Sequence, residues 1–177
     1  VRVGVVLYRH RSVILLQAPG MGVMAQPPAG DGQETLILQS VDRFLERDVR
    51  PVVHALEAAD TYPAEIVEKL KTLGLFGATI APEHGGLGLP ALTYARIVER
   101  MAAVWMSVPG FFNSHLIMAA AVQRFGTEEQ KRRFLPRFAS GELRGGIALT
   151  EPDCGTDLQA IRTHARREGD HYVVNGA

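Results

Sequence analysis

The sequence predicts an α+β protein in which an all-helical domain, over residues 33–143, is followed by the first strands of a β domain, over 144–177. Apolar residues recur every three or four positions along most of the first segment, which is the spacing of amphipathic helices. Beyond Arg144 the apolar spacing changes to two, which is typical of strands. Residues 1–32 follow neither pattern and are expected to form an irregular N-terminal extension.

This extension mixes basic and apolar residues, and it contains no acidic residue before Asp31. The composition fits a targeting presequence, although serine is scarce, and it fits equally a stretch upstream of the true start, because the chain begins with Val1. Residues 20–25 formally match the G-x-G-x-x-A dinucleotide pattern. We expect no nucleotide there, because Pro27 and Pro28 would break the helix that this pattern requires.

The first two helices of the helical domain are bounded by proline and glycine. The first, over 33–59, is expected to kink at Pro51. The second, over 61–73, is expected to be capped by Thr61 or Tyr62 and to stop at Gly74.

The rest of the helical domain alternates turns with helices. Residues 75–90 are rich in glycine and proline and predict a short extended piece with turns. Helices are expected over 91–108 and 110–126, and the second is apolar nearly all round, so it should be buried. Thr127 and Gln130 form a capping box at the start of the last helix.

The β domain begins with an apolar strand over 145–150 and continues with a hairpin over 161–174 that turns at Gly169. Three short strands cannot close a sheet. We therefore expect the chain to be part of a longer protein.

Composition excludes several functions. The 19 basic and 19 acidic residues balance, and no basic-aromatic stripe suits nucleic-acid binding. No apolar run approaches the roughly 20 residues that a membrane span needs. The single cysteine, Cys154, cannot form an intramolecular disulfide, which favours a reducing compartment and a soluble intracellular protein.

The segment "IALTEPDCGTD", at 147–157, concentrates the chemistry of the chain. An apolar strand could support a flat ring, and Thr150 ends that strand with a hydroxyl. Gly155 permits positive φ or close backbone approach, and Thr156 adds a second hydroxyl beside amides that could form an anion-binding nest. A cofactor with a polar aromatic head and a phosphate tail would fit, and so would a capped structural turn, which the residues alone favour.

Three spaced motifs, and a short fourth segment before them, resemble the acyl-CoA dehydrogenase family. "ALTEPDCGTD", followed by "LQAIRTHARREGDHYVVNGA", is similar to the family signature, whose loop usually reads T-E-P-x-A-G-S-D. "FGTEEQKRRFLPRFASGE" and "LGLFGATIAPEHGGLG" precede it in the family order, after "YPAEI". The resemblance covers residues 34–177.

The resemblance implies a flavoprotein oxidoreductase of fatty acid and lipid metabolism. FAD would accept a hydride as the Cα–Cβ bond of an acyl-CoA is oxidised to a trans-2-enoyl-CoA, and electrons would pass to electron-transfer flavoprotein. Residues 33–143 would be the helical N-terminal domain, and 144–177 the start of the FAD-contacting β-barrel. The catalytic glutamate of relatives lies in a later helical domain, so no catalytic residue is assigned here and the chain alone should be inactive.

The same resemblance implies the assembly and location of the intact protein. Relatives are homotetramers. The location would be the cytoplasm in a bacterium, or the mitochondrial matrix in a eukaryote.

Carried over by position, the resemblance assigns contacts to a few residues. Those that would bind FAD are Ile147, Leu149 and Thr150 at the isoalloxazine, and Gly155 and Thr156 at the pyrophosphate. The backbone of Thr156 would also meet the pantetheine arm of the substrate. The buried helix around Phe111, Phe112, Leu116 and Ile117 lies where relatives build the fatty-acyl cavity, and Phe112 and Leu116 are assigned to the substrate.

Two positions depart from the family loop. Thr156 replaces a serine, which keeps the hydroxyl and should change little. Asp153 and Cys154 replace small residues, and the additional carboxylate would repel a pyrophosphate. Asp153 is therefore expected to point to solvent.

Other reactive residues are expected to be structural. Glu151 and Asp157 suit turn capping better than acid–base catalysis, and Cys154 has no evident base. The six histidines show no metal-ligand spacing, so no metal is expected. His84 should serve its turn, and His115 is either a core histidine with a backbone partner or a residue lining the acyl cavity.

Two alternative functions remain open at this stage. The first is an acyl-CoA oxidase-like flavoenzyme, in which oxygen replaces the electron-transfer partner. The second is a non-catalytic helical module for protein interaction or passive acyl-CoA binding. The sequence does not set the length or branching of the acyl chain.

Overall fold

The computed structural model describes the backbone of residues 2–7, 12–17 and 31–176, and the side chains of residues 32–176. The helices and strands of this part follow in chain order: β1 (Arg2–Leu7), β2 (Ser12–Gln17), α1 (Asp31–Phe44), α2 (Val53–Ala58), α3 (Ala64–Thr72), α4 (Ala91–Val104), α5 (Ser107–Phe125), α6 (Glu128–Ala139), β3 (His164–Glu168) and β4 (His171–Asn175). The helices precede the β3–β4 hairpin, which confirms the predicted α+β class.

An antiparallel pair occupies part of the N-terminal extension. β1 pairs with β2 from Arg2 opposite Gln17 to Leu7 opposite Ser12. This regular ladder differs from the irregular extension expected over 1–32, and valine and isoleucine, which favour strands, account for it. The G-x-G-x-x-A match at residues 20–25 lies outside the described residues.

The first predicted helix is divided in two. α1 ends at Phe44, a π-helical turn covers Leu45–Val49, and α2 begins at Val53. Pro51 lies in the turn between them, because its ring and missing N–H do not allow a helix to continue. The predicted kink is therefore a break.

The start of α3 differs from the prediction, whereas its end agrees with it. Pro63 occupies the cap position and no side chain caps the helix. Neither Thr61 nor Tyr62 serves, since the Thr61 hydroxyl donates to the carbonyl of Ala59 at 3.2 Å. Gly74 has φ 74°, the left-handed conformation that ends helices, as expected.

The boundary between α4 and α5 also differs from the sequence prediction. α4 ends at Val104 because Trp105 adopts φ −154° and ψ 109°. Its indole Nε1 donates to Oε1 of Glu57 at 2.7 Å. The helix predicted over 91–108 is therefore shorter, and α5 begins at Ser107.

The elements that flank the candidate site follow their local signals. Thr127 and Gln130 make both reciprocal bonds of the predicted capping box, at 3.2 and 2.9 Å, where α6 begins. β3 and β4 pair antiparallel around Gly169, which has φ 61°. Both predictions are confirmed.

The core lies between the helices, and α5 runs through it. The largest fully buried side chains include Phe76, Phe112 and Phe138. One face of α5 is not covered by the described residues, because Gly110, Asn113 and Ser114 are exposed and Ile117 is 50% exposed. The helix predicted to be buried is therefore buried on most of its apolar side but exposed on one face, and this open face borders the candidate site.

Candidate cofactor site

Residues 144–150 form an extended segment rather than the predicted strand. Within the described chain, their amides and carbonyls make no backbone–backbone hydrogen bond. Ile147 packs against the helical core, whereas Leu149 is 38% exposed and Thr150 is exposed. An apolar run becomes a strand only beside a partner, and β3 and β4 pair with each other.

Side chains of the helical domain hold this segment. Nη1 of Arg144 donates to the hydroxyl of Tyr62 at 2.9 Å, and the Tyr62 ring meets Phe111 of α5 edge to face at 5.7 Å. A Cβ placed on Gly146 would lie 3.7 Å from Cβ of Ser114. The segment therefore runs along one side of α5.

A tight turn follows the extended segment. The amide of Glu151 donates to the carbonyl of Cys154 at 2.9 Å, and the reverse bond measures 3.1 Å. Cys154 is buried, and its thiol donates to the carbonyl of Asp157 at 3.1 Å. Burial raises the pKa of the thiol, so Cys154 is poorly suited to be a nucleophile, as expected.

The two carboxylates beside this turn support the backbone. Glu151 accepts from the amides of Arg162 and Thr163, each at 2.8 Å. The hydroxyl of Thr163, followed by these amides, holds the pKa of Glu151 below its ordinary value. Asp157 accepts from the amide of Gln159 at 3.1 Å. The structural interpretation of both carboxylates is confirmed.

The additional carboxylate of the loop is paired at the surface. Oδ2 of Asp153 accepts from Nη1 of Arg162 at 2.9 Å, and 66% of the Asp153 side chain is exposed. The predicted solvent orientation is therefore confirmed. An exposed pair of this kind contributes little to stability, but it partly offsets the charge of Asp153.

Thr150, Gly155 and Thr156 carry hydroxyl or amide groups that have no hydrogen-bond partner in the described chain. The hydroxyls of Thr150 and Thr156 are exposed and have no hydrogen-bond partner in the described chain. The amides of Gly155 and Thr156 likewise donate no bond there. A Cβ on Gly155 would meet nothing within 4 Å. These donors can contact the polar edge of a ring and a phosphate.

Two reasons for a glycine at position 155 were predicted, a positive φ and the close approach of a ligand, and the structure supports only the second. Gly155 is not among the positive-φ glycines of the described chain. The open space above its Cα fits the other reason, which is close approach of a ligand to the backbone.

The two residues assigned to the acyl cavity lie in the core. Phe112 is 0% exposed and contacts the rings of Phe76 and Tyr94, and Leu116 is 3% exposed. Their role at the acyl cavity remains a prediction. The open face of the same helix carries Ile117, which the sequence analysis placed at the acyl cavity, and Asn113, which it did not select and whose polar side chain interrupts an apolar run.

His115 is a core histidine with backbone partners, one of the two predicted roles. Its Nε2 lies 3.2 Å from the carbonyl of Phe76 and 3.1 Å from that of Phe138. Burial lowers its pKa, and its Nδ1 has no partner among the described residues. The neutral ring with hydrogen on Nε2 satisfies these contacts, and it ties α5 to α6 and to the turn before residue 80.

A cavity of about 300 Å³ lies between α1 and α3, away from the loop. Three of its four charged lining residues pair, because Asp48 accepts from Arg47 at 2.9 Å and from Lys69 at 2.8 Å. These bonds lower the pKa of Asp48 to about 2. The fourth, Arg43, donates to the hydroxyl of Ser40 at 3.0 Å. The paired charges indicate a structural role.

Residues 84 and 83 form a weak polar pair in the glycine-rich turn. His84 ends the 3₁₀ turn Pro82–His84, and its Nε2 lies 3.8 Å from Oε1 of Glu83.

Across the described residues, no three His, Cys, Asp or Glu side chains come together as a metal site. Among the described helices, none has the length and apolar character needed to cross a membrane.

Comparison with known proteins identifies the family. The family described as "Acyl-CoA dehydrogenase, N-terminal domain" matches residues 31–142. The chain belongs to the acyl-CoA dehydrogenase family. The short-chain specific acyl-CoA dehydrogenase of Clostridium acetobutylicum is 36% identical over 146 residues, which cover 82% of the chain and 38% of that relative.

Solved structures of the family share the fold. Butyryl-CoA dehydrogenase from Megasphaera elsdenii is 29% identical, with a TM-score of 0.77 over 85% of this chain and 40% of that one. Glutaryl-CoA dehydrogenase from Mycobacterium smegmatis, in complex with FADH2, is 30% identical, with a TM-score of 0.70 over 82% and 38%. The chain therefore spans about two fifths of the length of these relatives.

Proposed function

We propose that this chain is part of an FAD-dependent acyl-CoA dehydrogenase that converts an acyl-CoA thioester to a trans-2-enoyl-CoA. The observation that carries the proposal is the open set of donors at Thr150, Gly155 and Thr156, in a chain of this family. The FADH2 complex of the Mycobacterium smegmatis relative supports FAD as the cofactor.

Five residues would hold FAD in this proposal. Ile147 and Leu149 would contact the isoalloxazine, with Ile147 held by the core and Leu149 exposed. The Thr150 hydroxyl would donate to the polar edge of the ring, where negative charge grows on reduction. The hydroxyl of Thr156 and the amide of Gly155 would donate to the pyrophosphate. When bound, FAD supplies the hydride-accepting chemistry, and the protein supplies orientation and charge stabilisation.

The residues of this chain would orient the substrate but would not remove its proton. Glu151 and Asp157 are bound to backbone amides, so neither is free to act as a base at the α-carbon. Following the family resemblance, we place the base outside these 177 residues and expect this segment alone to be inactive. The backbone of Thr156 would contact the pantetheine arm, and Phe112 and Leu116 would support the wall of the acyl cavity.

The proposal includes the partners of the intact protein. Electrons would pass to electron-transfer flavoprotein, and the intact protein would be a homotetramer. It would act in the bacterial cytoplasm or in the mitochondrial matrix.

Purification of the intact protein tests this function. It should be yellow from bound flavin, and it should reduce electron-transfer flavoprotein when given acyl-CoA. Rapid reoxidation of the reduced flavin by oxygen would indicate an oxidase instead. A colourless protein that takes up no added FAD would contradict the proposal, and acyl-CoA binding without flavin would favour a non-catalytic module.

A further inference from the structure

The outward face of α5, formed by Gly110, Asn113, Ser114 and Ile117, lies between two neighbours. These positions are spaced by three and four residues, so they share one side of the helix. The extended segment borders this face where Gly146 approaches Ser114. α4 borders it on the other side, where its Tyr94 bonds to Asn113. β2 also contacts α5. The exposed residues of this face nevertheless form an open strip beside the segment that carries the proposed flavin contacts.

The chemistry of this face is mixed. Ile117 is 50% exposed and offers an apolar contact. A Cβ on Gly110 would meet nothing within 4 Å, so there is space above the helix at that level. Asn113 adds an exposed amide between them. A ligand along this face would meet carbon at one end and a hydrogen-bonding group near the middle.

Tyr94 fixes the orientation of the Asn113 amide. Its hydroxyl donates to Oδ1 of Asn113 at 2.9 Å, and its ring packs edge to face on Phe112 at 6.3 Å. Burial raises the pKa of Tyr94, so the hydroxyl keeps its proton and remains a donor. With Oδ1 occupied, the Nδ2 group, which has no partner in the described chain, presents its two N–H donors to the open face.

We propose that Asn113, oriented by Tyr94, selects the acyl group of the substrate. The inference rests on the proposed function: a thioester that reacts beside Leu149 and Thr150 extends its acyl group along the outward face of α5. An acyl group with an oxygen acceptor can bond to Nδ2 of Asn113. A long unbranched alkyl chain would instead cover these N–H groups without satisfying them. The site therefore favours oxygen-bearing acyl groups over long alkyl chains.

Kinetics of the intact flavoprotein test this selection. The measured quantity is the ratio of kcat/KM for ω-carboxyacyl-CoA thioesters of four to eight carbons to that for unsubstituted acyl-CoA thioesters of equal length. Asn113→Leu should lower the best ratio by about 5- to 100-fold, because the variant loses the bond to the oxygen-bearing acyl group and no longer leaves an amide unpaired beneath an alkyl chain. Tyr94→Phe should lower it by a smaller factor, because the amide loses its orienting partner.

Gln39→Leu is the matched control, since it removes an exposed helical amide on α1. It should leave the ratio unchanged. Flavin content and thermal stability are measured for every variant, so that a loss of folding is recognised. If Asn113→Leu does not bind flavin, the ratio of kcat/KM is measured for Asn113→Ser and Tyr94→Phe instead.

The outcomes separate this inference from the proposed function. If the wild-type enzyme is active and the folded variants at positions 113 and 94 have the same ratio, the selection by Asn113 is contradicted. The proposed dehydrogenase function would not be affected by that result. A wild-type protein without flavin or turnover would overturn both. A lowered ratio in these variants, with the Gln39→Leu control unchanged, supports the inference.

Discussion

Acidification is expected to destabilise the helical domain through His115. The ring is 2% exposed, its Nε2 faces two carbonyls at 3.2 and 3.1 Å, and its buried Nδ1 has no partner in the part of the chain that the structure describes. Burial lowers its pKa from the ordinary value of 6.5, and the charge of Arg144 acts in the same direction. The unfolded chain therefore binds a proton at this site at a pH where the folded chain does not.

The sign and size of the effect follow from this difference. Because the unfolded state binds more protons, the free energy of unfolding falls as the pH drops below 6.5, until the pH reaches the lowered folded pKa. One proton contributes at most about 1.4 kcal/mol per pH unit. Between pH 6.5 and pH 5 His115 can thus remove at most about 2 kcal/mol.

Urea unfolding at pH 7.5, 6.5, 5.5 and 5 measures how much free energy of unfolding is lost through His115. His115→Gln keeps an N–H donor for the two carbonyls but does not titrate, so its free energy of unfolding should fall less with acid than that of the wild type. His54→Gln, at an exposed position, is the control and should keep the wild-type slope. Parallel pH profiles for the wild type and His115→Gln would refute the reasoning.

Two further changes test the loops. Gly86→Ala would place a Cβ 2.1 Å from the carbonyl oxygen of Ile80 and should cost about 2–3 kcal/mol in urea unfolding, whereas Gly85→Ala, at φ +81° with open space, should cost about 1 kcal/mol. Equal losses would contradict the steric explanation. Tyr62→Phe removes the hydroxyl that accepts from Arg144 and should weaken FAD binding by the intact protein about two- to fivefold. An unchanged Kd in a flavin fluorescence titration would show that this bond does not position the segment.

The sequence predicted those elements that depend only on residues a few positions apart. Ile66, Val67 and Leu70 are the buried residues of α3, and Gly74 ends that helix. The capping box at Thr127 likewise depends only on residues three positions apart. These features could be predicted because neighbouring residues alone determine them.

Contacts between distant residues explain the differences. The end of α4 depends on the bond of Trp105 to Glu57, 48 positions away. The apolar run at 145–150 resembles a strand, but it lies along α5 without a ladder. Periodicity alone cannot identify such partners.

The candidate site was predictable in part. The hydroxyls and the glycine of the loop are evident in the sequence, and the structure leaves them open. Phe112 and Leu116 were assigned by position from the family resemblance, and their apolar side chains equally indicate core residues. Asn113 was missed because its partner, Tyr94, lies 19 positions earlier on another helix.

The affinity of the intact protein for FAD tests the role of the loop most directly. Removing a hydroxyl that bonds to a charged phosphate costs about 1.5–3 kcal/mol, so Thr156→Val should raise the Kd at least about tenfold. Thr150→Val, at the neutral ring edge, should raise it less, and Thr72→Val, which removes a hydroxyl on α3, should leave it unchanged. Equal Kd values for the wild type and all three variants would contradict the assignment of this loop to FAD.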